Sequence, residues 1–193
     1  MIPLLLALFA GSAQAAPPSA TLSGSDGTLA WTVSSSGGAV QIQGSSPKWK
    51  VQHTADANMR PRATTRTDPD GKVTKVTYEA GVVTVTLPGG KVVTHKGGDI
   101  WDGDTLDMRL AERVRKGMPL DVSFKAVDTG SGKLYSFDSV DKGAETCPTG
   151  PCRHVNVTLG GWLKYVGPSF DYWFASDGKL VKFEGPAGKF VGK

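Results

Sequence analysis

Between Arg62 and His95 the chain is a series of short runs rich in Val and Thr, each closed by a turn signal. Arg62–Thr67 runs into Pro69-Asp70-Gly71, and Val82–Leu87 runs into Pro88-Gly89-Gly90 before Lys91–His95. Pro presets one turn dihedral and Gly supplies the positive φ that other residues resist, so these triplets reverse the chain. Within the runs the apolar residues alternate. Val73, Lys75, Thr77 and Glu79 share one face and Thr74, Val76 and Tyr78 the other, while Val83, Val85 and Leu87 oppose Val82, Thr84 and Thr86. A period of two with one apolar face is that of an antiparallel sheet wet on one side. Tight turns between neighbours make it a meander.

The same pattern extends in both directions, and 25 glycines and 12 prolines fall mostly between such runs. Leu29–Val33, Val40–Gln43 and Trp49–His53 are predicted strands upstream. Downstream they are Leu120–Asp128, Lys133–Asp141, Cys152–Leu159, Trp162–Tyr165, Tyr172–Ser176 and Leu180–Glu184. One stretch changes period. Leu106, Leu110, Ala111 and Val114 are spaced by three and four, which predicts a helix near 104–116. Asp104 is the predicted N-cap, Arg113, Arg115 and Lys116 suit the last turn, and Gly117 ends it. The expected fold is all-β with minor α: a curved antiparallel meander, or half-barrel, with one packed helix.

The first fifteen residues read differently. Ile2 and Leu4–Ala10 are an apolar run too short for a stable membrane anchor, and Ala13-Gln14-Ala15 is a small-x-small cleavage pattern. They are expected to be a cleaved secretory signal. Residues 16–27 follow as a flexible lead-in, and residues 28–193 as a single β domain. An exported chain is periplasmic or extracellular, which permits a disulfide and removes intracellular cofactors and nucleic acid from the expected partners. No second apolar run suggests a transmembrane segment in the mature chain. The formal charge of +4 comes from 22 basic and 18 acidic residues that are mostly scattered, as on a solvated surface, with a weak preference for anionic lipid headgroups or acidic envelope polymers as the alternative.

The region from about Asp99 to Glu184 resembles an uncharacterised exported bacterial domain related in shape to the lipoprotein-carrier (Lol-type) half-barrels. The resemblance is carried by the Asp102–Lys116 helix, then Val122–Asp128, Leu134-Tyr135-Ser136-Phe137 and Gly143-Ala144-Glu145. It closes with Tyr172–Ser176 and Leu180–Glu184 around Asp177-Gly178. It implies a sheet curled partly around the helix, with an apolar concavity that in the carriers holds acyl chains. The residues expected to line it are Val76, Tyr78, Val83, Val85, Leu106, Leu110, Phe124 and Tyr135.

Little in the sequence points to catalysis. Cys147 and Cys152, the only cysteines, have four residues between them, and a structural disulfide is expected, with redox chemistry or metal binding with His154 as alternatives. Asp99, Asp102, Asp104 and Asp107 hold only a fragment of a calcium loop, and helix capping accounts for Asp104 and Asp107. His53, His95 and His154 fall in different strands and are expected at surfaces or strand edges. The aromatic end of the chain, Trp162 to Phe174, reads as strand packing or as a platform for lipid or glycan. Asn156-Val157-Thr158 is a glycosylation sequon placed inside a strand. No catalytic residue, metal or cofactor is assigned. The expected function is a non-enzymatic envelope protein that binds a lipid or lipoprotein-like ligand in the concavity. An envelope scaffold that binds a protein partner and has no cavity is the alternative, and an envelope hydrolase with a convergent acid/base pair is the third.

Overall fold

In the computed structural model, residues 16–186 and 188–192 are described. The expected signal segment therefore lies outside the described residues. Fifteen strands form one sheet. The first eight are β1 Ala20–Gly24, β2 Gly27–Ser36, β3 Ala39–Ser46, β4 Trp49–Asp56, β5 Pro61–Thr67, β6 Val73–Glu79, β7 Val82–Thr86 and β8 Val92–Lys96. β9 Ile100–Asp102 leads through a 3-10 turn, Gly103–Thr105, into helix α1 Leu106–Arg115. The rest are β10 Val122–Asp128, β11 Lys133–Cys147, β12 Gly150–Leu159, β13 Ser169–Phe174, β14 Leu180–Gly185 and β15 Gly188–Gly192.

The order across the sheet is β8-β7-β6-β5-β4-β3-β2-β1-β15-β14-β13-β12-β11-β10-β9. Two meanders are thus joined where the first strand pairs with the last, Leu22 opposite Gly192. All pairs are antiparallel except β9 with β10, whose parallel pairing needs a crossover, and α1 supplies it. The all-β curved sheet with one helix stands as expected. The sheet is not closed by strand pairing, and β8 and β9 are its edges.

The lead-in expected over residues 16–27 is corrected. β1 sits mid-sheet, with Ala20 and Leu22 buried and Thr21 and Ser23 exposed. The alternation was present but short and made of small residues. Trp162–Tyr165 is a 3-10 turn with Trp162 and Tyr165 exposed, not a strand. β9 and β15 had no sequence signal beyond a few apolar residues among glycines. The N-cap also moves. Asp102 accepts from the Asp104 N–H, so Asp102 caps the 3-10 turn, and Thr105 precedes α1 without a side-chain cap.

α1 lies in the concavity with Leu106, Met108, Leu110 and Ala111 buried. Its far end rests on the β13–β14 turn. There Gly178 has φ +84°, and a Cβ would fall 2.6 Å from the Ala111 carbonyl oxygen, so only glycine fits. The main core joins the helix to β1–β4 and β10–β15, and a smaller one unites Val76, Val83, Val85, Ile100 and Val127.

Candidate functional site

Antiparallel alternation sorts the turns into two ends. The β1–β2, β3–β4, β12–β13 and β14–β15 turns share one end with the start of α1. At that end an aromatic cavity of about 210 Å³ opens between the helix and the sheet. Its wall includes Leu29, Trp31, Trp49, Leu106, Phe170, Tyr172, Phe183 and Phe190, with Asp104 and Asp107 at the helix side and Lys48 and Asp26 at the mouth. The Lys48 ammonium donates to the Pro186 carbonyl oxygen, tying two mouth turns together.

The wall continues an aromatic row across the inner face. Trp101 stacks on Phe124 at 4.0 Å, Phe124 on Phe137 at 5.6 Å, and Phe137 meets Phe170 edge-on at 6.4 Å. Tyr172, Phe183 and Phe190 carry it on to β15. Alternation places these rings on one face, since each strand contributes every second residue. It also places Tyr172 and Phe174 inward and Trp173 outward. Opposite, the Trp31 ring covers Gly44, where a Cβ would lie 2.0 Å from a ring carbon.

Asp107 is the unusual group in this wall. Its carboxyl accepts from the Met108 N–H and meets no cation among the described residues. Trp31 Nε1, in the same wall, makes no hydrogen bond. Burial dominates and pushes Asp107 up to about 7. Asp104 is also raised to about 7, by burial and by Asp102, although the Arg66 guanidinium at 2.9 Å opposes the shift. Tyr172, buried close to Asp107, is pushed far above the usual phenol range.

A second polar group ties the β9 edge back to β5 and β6. Asp102 on β9 accepts from Thr64 Oγ1 on β5 at 2.6 Å and from Tyr78 Oη on β6 at 2.7 Å. The Thr64 proton is committed to Asp102, so Thr64 Oγ1 accepts from His53 Nδ1 at 2.8 Å. Burial lowers the His53 pKa and keeps the ring neutral. His53, expected at a surface, is therefore corrected to a core histidine. This His–Thr–Asp chain is sealed from solvent, with each member 3% exposed or less. Asp104, read as a cap, instead pairs with Arg66 and accepts from Thr129 across the same seam.

Of the eight residues expected to line the concavity, all face inward, but only Leu106 reaches the cavity. Val76, Val83 and Val85 fill the smaller core, with Tyr78 packed against it and bonded to Asp102. Leu110 and Phe124 fill the main core, and Tyr135 packs against it. Strand parity sets the face of a residue; it does not say which inward residues meet each other and which meet space. Cys147 and Cys152 form the expected disulfide beneath Trp173 and Val181. His95 bonds the Gly132 carbonyl, and His154 lies between Glu145 and Asp171 on the outer face. Among the described residues no cluster of three His, Cys, Asp or Glu could hold a metal, and no helix is long and apolar enough to cross a membrane.

No family model and no curated protein matches the chain. Among solved structures it is similar to a β-barrel-like protein of a domain of unknown function, DUF1849, from Brucella abortus. The TM-score is 0.53, with 91% of this chain and 92% of that one covered at 13% identity. At that identity the likeness shows the fold alone: a barrel-like domain of the kind found in that bacterial protein.

Proposed function

We propose that this chain is a non-catalytic binding protein of the bacterial cell envelope, exported to the periplasm or beyond, that holds the apolar part of a lipid or other amphiphile in the aromatic cavity. The observation that carries this reading is the cavity itself, an aromatic recess whose only buried carboxyl without a cation is Asp107. Near neutral pH such a carboxyl is partly protonated, so it offers an O–H donor to a polar head while the rings cover the chain. The volume of about 210 Å³ falls below the ~300–1,000 Å³ of ordinary small-molecule sites, which suits one acyl segment rather than a whole lipid. The implied resemblance to the lipoprotein carriers agrees with this chemistry.

Two features weigh against an envelope hydrolase. The His53–Thr64–Asp102 chain is closed to substrate. Asp104 and Asp107 are both raised to about 7 by burial, whereas a carboxylate pair dividing acid and base roles has its values pushed apart. A scaffold without a ligand is favoured by the dense packing of Val76, Val83, Val85, Leu110 and Phe124, which leaves little of the concavity open.

Native mass spectrometry of the exported protein, before and after solvent extraction, decides between them. A defined adduct that disappears on extraction is expected. A bare mass, together with no uptake of a fluorescent fatty acid by the extracted protein, overturns the binding reading and leaves the scaffold.

A further inference from the structure

The connection from β12 to β13 carries a surface unlike the rest of the molecule. Trp162, Tyr165 and Val166 are each more than 70% exposed, and they lie within five residues of one 3-10 turn. Large exposed aromatics normally find cover, because each ring holds ~150–250 Å² of surface that water solvates poorly. The Lys164 ammonium stands over the Tyr165 ring at 5.0 Å, so the turn presents rings and a cation together.

The topology places this turn at the end of the sheet where the cavity opens. β12 runs toward that end, and β13 leaves it through Phe170, which lines the cavity. The β5–β6 and β7–β8 turns reach the same end, and with them Val73 and Val92. Among the described residues, five of the seven large exposed apolar side chains therefore stand at this end, the others being Met118 and Val140. Four exposed lysines, Lys48, Lys91, Lys133 and Lys164, also belong to its turns or flank them, and none forms an ion pair among the described residues. Of the carboxylates of the neighbouring turns, Asp68 pairs with Arg66, Asp70 with Lys72, and Glu184 with Lys182 and Lys189, which leaves Asp26 and Asp128 against the four lysines.

We infer that this end docks on an anionic lipid bilayer, with Trp162, Tyr165 and Val166 set into the headgroup layer and the rim lysines against the lipid phosphates. Trp and Tyr favour that layer because an apolar ring and a polar edge are solvated there at once. Basic residues near an anionic surface add attraction that fades within a Debye length. The occupant is a membrane and not a protein groove, because rings and unpaired cations occur at one end together and the rings project singly from a turn. Docking in this orientation turns the cavity mouth to the bilayer. It goes beyond ligand binding and does not require it.

The test is sedimentation of the exported, processed chain with vesicles of phosphatidylethanolamine and phosphatidylglycerol, against vesicles of phosphatidylcholine alone. Binding to the anionic vesicles is expected, weakening as salt is raised. The double variant Trp162→Ala/Tyr165→Ala is expected to bind roughly tenfold less, on the scale of the aromatic area withheld from the interface. Lys91→Glu/Lys164→Glu is expected to lose the preference for anionic lipid. Both pairs are exposed, so the melting temperature is expected to stay that of the parent, which excludes misfolding as the cause. Absence of binding by the parent, or equal binding by the aromatic variant, overturns the inference. The adduct seen by mass spectrometry is a separate readout, so failure of docking is distinguishable from failure of cavity binding.

Discussion

Trp31 lies flat on Gly44, its partner across the β2–β3 ladder, and the missing side chain of Gly44 is what lets the indole form one wall of the cavity. A methyl at Gly44 would meet three ring carbons within 2.6 Å, all of them part of a rigid bicycle. Gly44→Ala is therefore expected to swing Trp31 into the cavity and lower stability by about 1–3 kcal/mol, the usual cost of overpacking. Uptake of a fluorescent fatty acid is expected to fall with it. A variant that folds and takes up the probe as well as the parent removes Trp31 from the site.

Asp102 holds the edge strand β9 against β5 and β6, to which no ladder joins it. Thr64, Tyr78 and the Asp104 N–H all donate to it. Asp102→Ala leaves these donors unpaired in a buried place and is expected to cost about 3–5 kcal/mol. Asp102→Asn keeps one of the two acceptor oxygens and is expected to cost less. Hydrogen exchange resolves the effect: amides of β5 and β9 exchange faster in the Ala variant, while those of β12 and β13 keep their protection.

Asp107 makes stability depend on pH in a definite direction. Its pKa in the folded protein is about 7 against an ordinary 3.8. Between those values the folded state holds a proton that the unfolded chain has released, so stability falls as pH rises through this window and levels off above it. The loss from this residue is on the order of 2–4 kcal/mol. Asp104 acts in the same sense, tempered by Arg66. Asp107→Asn is expected to melt higher than the parent at pH 8 and to show a flatter profile from pH 5 upward. A parent whose melting temperature rises across that range refutes the assignment.

The disulfide closes a loop of only four intervening residues, so its constraint on the unfolded chain is small. Reduction, or Cys147→Ala/Cys152→Ala, is expected to cost about 2 kcal/mol in urea unfolding. The damage is expected to stay local, in the far tip of the β11–β12 hairpin and its cover of Trp173 and Val181. A global loss of the near-ultraviolet signal contradicts this.

Much of the sheet was legible in the sequence alone, because strands announce themselves through neighbours. Val73–Glu79 and Val82–Thr86 alternate, and glycine or proline breaks them. The helix was legible through the spacing of Leu106, Leu110 and Ala111, and the disulfide through the count of cysteines. Those signals act over two to seven residues, and local sterics and burial on one face are enough to set them.

The cavity was not legible in the same way. Trp31, Trp49, Tyr172 and Phe190 meet only because β1 pairs with β15, which brings the two ends of the described chain together mid-sheet. His53 is in the core because β9 comes back to β5: its partner Thr64 lies eleven residues further along the chain, and Asp102 another 38 beyond that. The values of Asp104 and Asp107 follow from burial, which no window of sequence contains. The sequence by itself determined the strand faces, the helix and the turns, since these depend on adjacent residues. Which inward residues fill the core, and which are left facing a recess, was decided by contacts between segments far apart in the chain, and those exist only once the sheet has curled.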